Sequence, residues 1–301
     1  MLLLSFAIFL IIPADVFAFG PAFHLQIGRE LLNYLTLFSP LTQQIINSAP
    51  YDFLYGNISP DIIIGKRFLP YHKHCHSFDI AINLLEKSKT NQEKAFSYGY
   101  LCHLAADVIA HNFFVPYMII STFKSRTLTH LYWETRLDNK VDKSVWQLVD
   151  LFRKRDFSKN EMLLKSVLAY NLFPFQIHSK IYKGYMLFSR LEQWHKTIEI
   201  IRNFSKYKIL KFVVNETFKL SVDYCVRVLK REDDEFIYKS DPMGRKTIAM
   251  AMLIKRNLKR VHMFKPIDFE TEKNLSNHFR KRLREALKDP TRLSEIISKE
   301  T

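Results

Sequence analysis

Glycine is scarce in this chain: 301 residues carry only seven, and no two are spaced as G-x-G. A doubly wound nucleotide-binding fold needs a glycine-rich turn after a strand. Neither G-x-G-x-x-G nor G-x-x-x-x-G-K-[ST] occurs, which disfavours dinucleotide and P-loop chemistry. Cysteine is scarcer still. Cys75, Cys102 and Cys225 are an odd number without a C-x-x-C pair, so no disulfide framework is implied, and packed thiols are expected. H-E-x-x-H is absent, which argues against the zinc proteases built on it, and no His-Asp dipeptide exists to found a hydrolase of that doublet type. The single E-x-x-H, Glu192 to His195, falls short of a di-iron bundle, which needs two such motifs and two further glutamates. No run of strict apolar–polar alternation and no internal repeat is present.

What is there is apolar and basic. Hydrophobic residues make up 48% and aromatics 14%, enough for a folded core and against disorder. The net charge of +15 suits an anionic partner, a phospholipid surface or a nucleic acid, or a basic solvated helix face. The charge is densest in residues 241–301, with 15 Lys/Arg against 8 Asp/Glu. At the other end an apolar run, Leu2 to Ile12, is shorter than the roughly 20 residues a bilayer span needs, and it precedes Val16-x-Ala18. These features predict an export signal over residues 1–18, although it carries no Lys or Arg before the apolar run.

Apolar residues recur at helical spacing over residues 22–38, 40–49, 78–88, 92–121, 126–138, 142–153, 159–171, 178–203, 208–230 and 242–261, with a basic stretch near 270–287. Prolines at 40, 60, 70, 174 and 242 mark breaks. The pattern predicts an all-α protein, with a helical domain over residues 19–240 and a basic helical extension over 241–301.

Metal-ligand side chains recur four apart within this helical pattern. His103-x-x-x-Asp107-x-x-x-His111 and His130-x-x-x-Glu134 each place side chains one turn apart on a helix face. Asp107, flanked by a histidine one turn either way, can bridge two metals. Upstream lies a cluster of His72, His74, Cys75 and His76, and Asp61 sits in the turn-like stretch Gly56 to Asp61. Imidazole with carboxylate suits zinc or a similar divalent ion. Gly99, one turn before His103, allows another helix to approach closely.

These residues resemble the zinc-dependent phospholipase C superfamily, including the phospholipase C/D domain of glycosylphosphatidylinositol-specific phospholipase D and, more distantly, the fungal single-strand nucleases. The likeness rests on Phe19-Gly20-Pro21-Ala22-Phe23-His24, Gly56-x-x-x-Pro60-Asp61, His76-Ser77-Phe78 and Gly99-x-x-x-His103-x-x-x-Asp107-x-x-x-His111, within residues 19–135. It implies a helical domain holding two to three zinc ions. Asp61, His76, His103 and Asp107 would serve one ion, with His72 or His74 as alternatives to His76. His111, His130 and Glu134 would serve a second. Asp107 would bridge to a third, bound by His24 and by the amino terminus of Phe19 after signal removal. Asp61 would be the general base. The Asp107 to His111 spacing matches the phospholipase D-like branch, Phe19 stands where the family often has Trp, and His130 follows His111 sooner than in the best-known members.

The expected function is zinc-dependent hydrolysis of phosphodiesters, lipid head groups ahead of nucleic acid, by an exported protein. The alternatives are a non-catalytic, metal-stabilised module docking on anionic membranes through the basic extension, and a single-strand nuclease. Aromatic residues among Lys and Arg over residues 202–208 suit base stacking, and equally an ordinary amphipathic helix.

Overall fold

A computed structural model describes residues 20–62, 74–125, 130–168, 207–230 and 235–289. Every regular element among them is helical: α1 (Pro21–Asn33), α2 (Pro40–Ser48), α3 (Pro50–Gly56), α4 (Phe78–Lys87), α5 (Asn91–Ile109), α6 (Val115–Ser121), α7 (His130–Asp138), α8 (Val145–Lys154), α9 (Ser158–Val167), α10 (Lys211–Lys230), α11 (Glu235–Lys239), α12 (Arg245–Phe264) and α13 (Phe269–Lys288). Short 3-10 turns cover Leu35–Leu37 and Ser59–Ile62. The all-α expectation holds, while the helix expected over 178–203 lies outside the described residues.

The starts of these helices follow local chemistry. Ser39, Ser77 and Asp268 cap α2, α4 and α13 by accepting from backbone N–H groups of the first turn. Thr90 and Glu93 form a reciprocal capping box on α5. Proline sits in the first turn of α1, α2 and α3, where its missing N–H costs nothing.

One helix organises the rest. Asn91–Ser121 runs for 31 residues and is apolar enough to cross a membrane, yet it is packed inside the protein as a core helix. Helices α3, α4 and α10 pack around its first part, and α12 and α13 around its second. Phe53, Phe96, Tyr100, Phe113, Phe114 and Trp133 are fully buried along these contacts. Helices α3 and α5 meet at two glycines. A Cβ on Gly99 would lie 1.9 Å from the Phe53 carbonyl oxygen, and one on Gly56 would lie 2.1 Å from that of Phe96. No side chain fits there, so the backbones touch. The chain leaving α3 therefore runs directly beneath α5, where the 3-10 turn carrying Asp61 begins.

The central helix is not uniform. Ala110–Phe114 widens into a π turn, with the Val115 N–H bonded to the Ala110 carbonyl five residues back. Pro116 follows at once; it has no N–H to donate and its ring crowds the carbonyl four residues before it, so a wider turn is accommodated there.

Candidate metal centre

Helix α5 supplies His103 and Asp107, one turn apart and both fully buried. Three other segments converge on them. Helix α1 brings His24, whose ring stacks on that of His103 at 3.9 Å between centroids and 14° between planes. His24 Nε2 lies 3.2 Å from Asp107 Oδ1. The turn before α4 brings His76, with Nε2 3.2 Å from Asp107 Oδ2 and 3.3 Å from His103 Nε2. The 3-10 turn brings Asp61, whose Oδ1 is 3.2 Å from His76 Nε2. His103 Nε2 in turn sits 3.2 Å from Asp107 Oδ2. The donor atoms of His24, His103 and Asp107 all lie within 4.8 Å of one another, as do those of Asp61, His76 and His103.

Backbone carbonyls set the tautomers. The carbonyl of Asn57, at 2.8 Å, accepts from His103 Nδ1, so a neutral His103 ring turns the lone pair of Nε2 toward the cluster. His76 Nδ1 is engaged by the Cys75 sulfur at 3.3 Å, which leaves its Nε2 facing the same volume. Lone pairs and carboxylate oxygens aimed at one dry space repel unless a cation lies between them. A proton is a poor choice: burial, and then the neighbouring His103, lower the His24 pKa to about 4. Asp107 is buried too, which alone would raise its pKa, but His103, His24 and His76 hold it well below the usual carboxylate range. A buried, charged carboxylate ringed by three imidazoles, with the Nδ1 atoms of His103 and His76 already engaged, is a donor set that zinc takes.

His111 belongs to a separate group. It lies in the π turn, and its Nε2 is 3.5 Å from Glu134 Oε1 on α7. The carbonyl of Pro242, 131 positions along the chain, accepts from His111 Nδ1 at 2.5 Å. Burial opposes protonation of His111, but Glu134, Asp107 and the Pro242 carbonyl raise its pKa. His130 opens α7 one turn before Glu134, but its side chain lies outside the described residues, as do Phe19 and His72. Among the alternatives to His76, His74 is buried and accepts from the His76 N–H at 3.1 Å, bracing the turn that carries His76. Cys75, Cys102 and Cys225 are buried free thiols, as packed cysteines should be.

Asp138 was missed in the sequence. It lies one turn beyond Glu134 on α7, and its Oδ1 accepts from the Phe23 N–H at 2.7 Å. Helix α1 has no side-chain cap of its own at Gly20. Asp138 does that task from 115 residues away, and a Cβ on Gly20 would lie 2.3 Å from its carboxyl carbon. The helix that presents His24 is thus fastened to the helix that presents Glu134. Burial raises the Asp138 pKa to about 7, with the N–H groups of Phe23 and Ala22 pulling it down and Glu134 and Asp61 adding to the rise. Extending the His130–Glu134 ladder by one more turn would have found it.

Searches among curated proteins and among solved structures each return no match. The sequence family described as zinc-dependent phospholipase C matches residues 23–198, a stretch that contains His24, Asp61, His76, His103, Asp107, His111 and Glu134. Since that match spans more than half of the chain, the chain belongs to the zinc-dependent phospholipase C family.

Proposed function

We propose that the protein is a zinc-dependent phosphodiester hydrolase of phospholipase C/D type, acting on lipid head groups. The observation that carries this reading is the convergence of His24, His76 and His103 on the buried, charged carboxylate of Asp107. Family membership already implies a phospholipid-type substrate. Asp61, His76, His103 and Asp107 would hold one zinc, His111, His130 and Glu134 a second, and Asp107 with His24 and the freed amine of Phe19 a third. Bound there, zinc would supply Lewis acidity for a phosphoryl oxygen and bring the pKa of a water toward neutrality.

The chain's own residues do the rest. The Asn57 and Pro242 carbonyls accept from Nδ1 of His103 and His111 and so orient the two rings, leaving Nε2 of His103 toward Asp107 and Nε2 of His111 toward Glu134. Asp61, at the edge of the cluster beside His76, would take the proton from the attacking water as general base. The Asp138 clamp on α1 keeps His24 in register with Asp107. Removal of residues 1–18 on export would complete the site by creating the amine.

The test combines elemental analysis with a substrate panel. Two to three zinc ions per chain are expected, with hydrolysis of phospholipid vesicles lost on chelation and restored by zinc. Activity that survives confirmed metal loss overturns the mechanism. Cleavage of single-stranded nucleic acid instead of lipid would select the nuclease reading, and zinc without hydrolysis the non-catalytic module.

A further inference from the structure

Most of the exposed large apolar side chains are scattered, as on any protein surface. One group is not. Phe264 is 83% exposed, Phe269 78% and Met263 75%, and all three flank the single turn between α12 and α13. That turn is well fastened. The Ile267 N–H donates to His262 Nδ1 at 2.9 Å, the His262 ring meets Phe123 edge-on at 5.8 Å, and Lys124 Nζ reaches Glu272 at 2.5 Å. Asp268 caps the helix that follows. An ordered turn that holds two phenyl rings and a thioether in water does so against the hydrophobic effect, and folding gives no reason for it.

The surroundings of the turn are cationic. Helix α12 carries six Lys/Arg and no Asp or Glu, and Arg256, Arg260 and Lys265 are exposed on the approach to the tip. Phe269 also walls a groove of about 520 Å³ between α6, residues 207–213 and α13, whose sides include Met118, Leu210, Phe212 and Lys273. None of the clustered imidazoles or carboxylates lines it. An apolar tip on a basic shoulder is the arrangement of interfacial membrane binding: rings enter the acyl region while cations meet phosphates. A second copy of the chain fits less well, because pairing through this tip would bring two cationic shoulders together.

We propose that the turn at residues 263–269 is a membrane wedge, with Met263, Phe264 and Phe269 inserting into an anionic phospholipid bilayer while the Lys and Arg of α12 bind its phosphates. The purpose of the wedge, delivery of the metal centre to lipid, rests on the proposed function; the binding itself does not. The experiment is co-sedimentation of the zinc-loaded protein with phosphatidylcholine vesicles, with and without phosphatidylglycerol. Replacing Phe264 and Phe269 together by Ser should weaken partitioning by at least about tenfold per ring. Arg256→Gln with Arg260→Gln should weaken it about fivefold per charge, only on anionic vesicles and less at high salt. A Phe264→Trp variant should blue-shift its emission when vesicles are added.

Zinc content and hydrolysis of a small soluble phosphodiester, bis-para-nitrophenyl phosphate, should be unchanged in all of these variants. Serine variants that partition like the parent, or no emission shift in Phe264→Trp, would overturn the wedge. So would a concentration-dependent dimer that the serine pair dissociates, since the tip would then join two copies. Vesicle binding without any phosphodiester hydrolysis would sink the proposed function and leave the wedge standing; hydrolysis without vesicle binding would do the reverse.

Discussion

The cluster around Asp107 and the turn between α12 and α13 invert one another's chemistry. In the first, a carboxylate and three imidazoles are taken out of water; in the second, two phenyl rings and a thioether are left in it. Each runs against the ordinary partition of residue types. The compensation differs. The buried polar groups converge on one shared volume, where a bound cation would offset their desolvation inside the fold, and the Asn57 carbonyl accepts from His103 Nδ1. Among the described residues, nothing packs over the apolar rings to offset their exposure. An inversion compensated internally marks a site that binds something small between its own groups, and one left uncompensated points to a partner of large extent.

The strongest way to break this contrast is at Asp107. Asp107→Asn keeps the shape and removes the charge on which His24, His76 and His103 converge. Zinc content should fall by at least one ion per chain. Hydrolysis should fall by about a thousandfold, the size expected when several kcal/mol of transition-state stabilisation are lost. Vesicle binding should be untouched. Full zinc stoichiometry in the variant, by elemental analysis, would remove Asp107 from the centre of the site, and loss of vesicle binding with it would show that the two regions are not independent.

The second test uses proton linkage at Asp138. Its folded pKa of about 7 stands above the ordinary carboxylate value of 3.8. Its protonated form is therefore favoured by the fold, and the stability it contributes is complete below pH ~4 and lost as the pH rises through ~7. His24 runs the other way: its folded pKa of about 4 lies below 6.5, so its contribution is present above pH ~6.5 and lost as the pH falls through ~4. The two trends overlap in the zinc-free chain, and only a difference between variants separates them. Asp138→Asn keeps an oxygen for the Phe23 N–H and does not ionise. Relative to the parent, it should gain up to about 3–4 kcal/mol between pH 4 and pH 7 in denaturant unfolding. A stability difference that stays flat across that window would mean Asp138 is ionised in the fold throughout.

The legibility of the site in the sequence divides along similar lines. His103 and Asp107 were readable because a helix converts a spacing of four into contact, and nothing tertiary is needed. Asp61 and the cluster holding His76 stood out as candidates, but their place in one site with His24 came only through resemblance, since their meeting depends on the close crossing of α3 and α5 and on the docking of α1. His111 does lie beside Glu134, while the π turn ahead of Pro116 that holds His111 does not show in apolar periodicity. The Asn57 and Pro242 carbonyls carry no side-chain signature at all. Helix α3 was missed because seven residues opening on a proline are too short to show a period. The basic charge of the last 61 residues was plain from composition, whereas the rings held out at the tip were not, because a Phe in an amphipathic pattern reads as core until its exposure is seen.

The smallest expected effect lies at the base of the wedge. Lys124 and Glu272 form an ion pair at 2.5 Å, with side chains 29% and 22% exposed, and the same ammonium reaches the Ile267 carbonyl at 3.4 Å. It joins the end of the central helix to the first turn of α13. Partial exposure limits its worth, because water screens the attraction and two side chains must be ordered to make it. Glu272→Gln should therefore lower unfolding stability by no more than about 1 kcal/mol at low salt, and by less at high salt. Zinc content should not change, since neither residue touches the cluster. A loss well above that size, or one that salt leaves untouched, would mean that Lys124 is held in a drier place than its exposure indicates, and that the turn belongs energetically with the buried centre rather than with the surface.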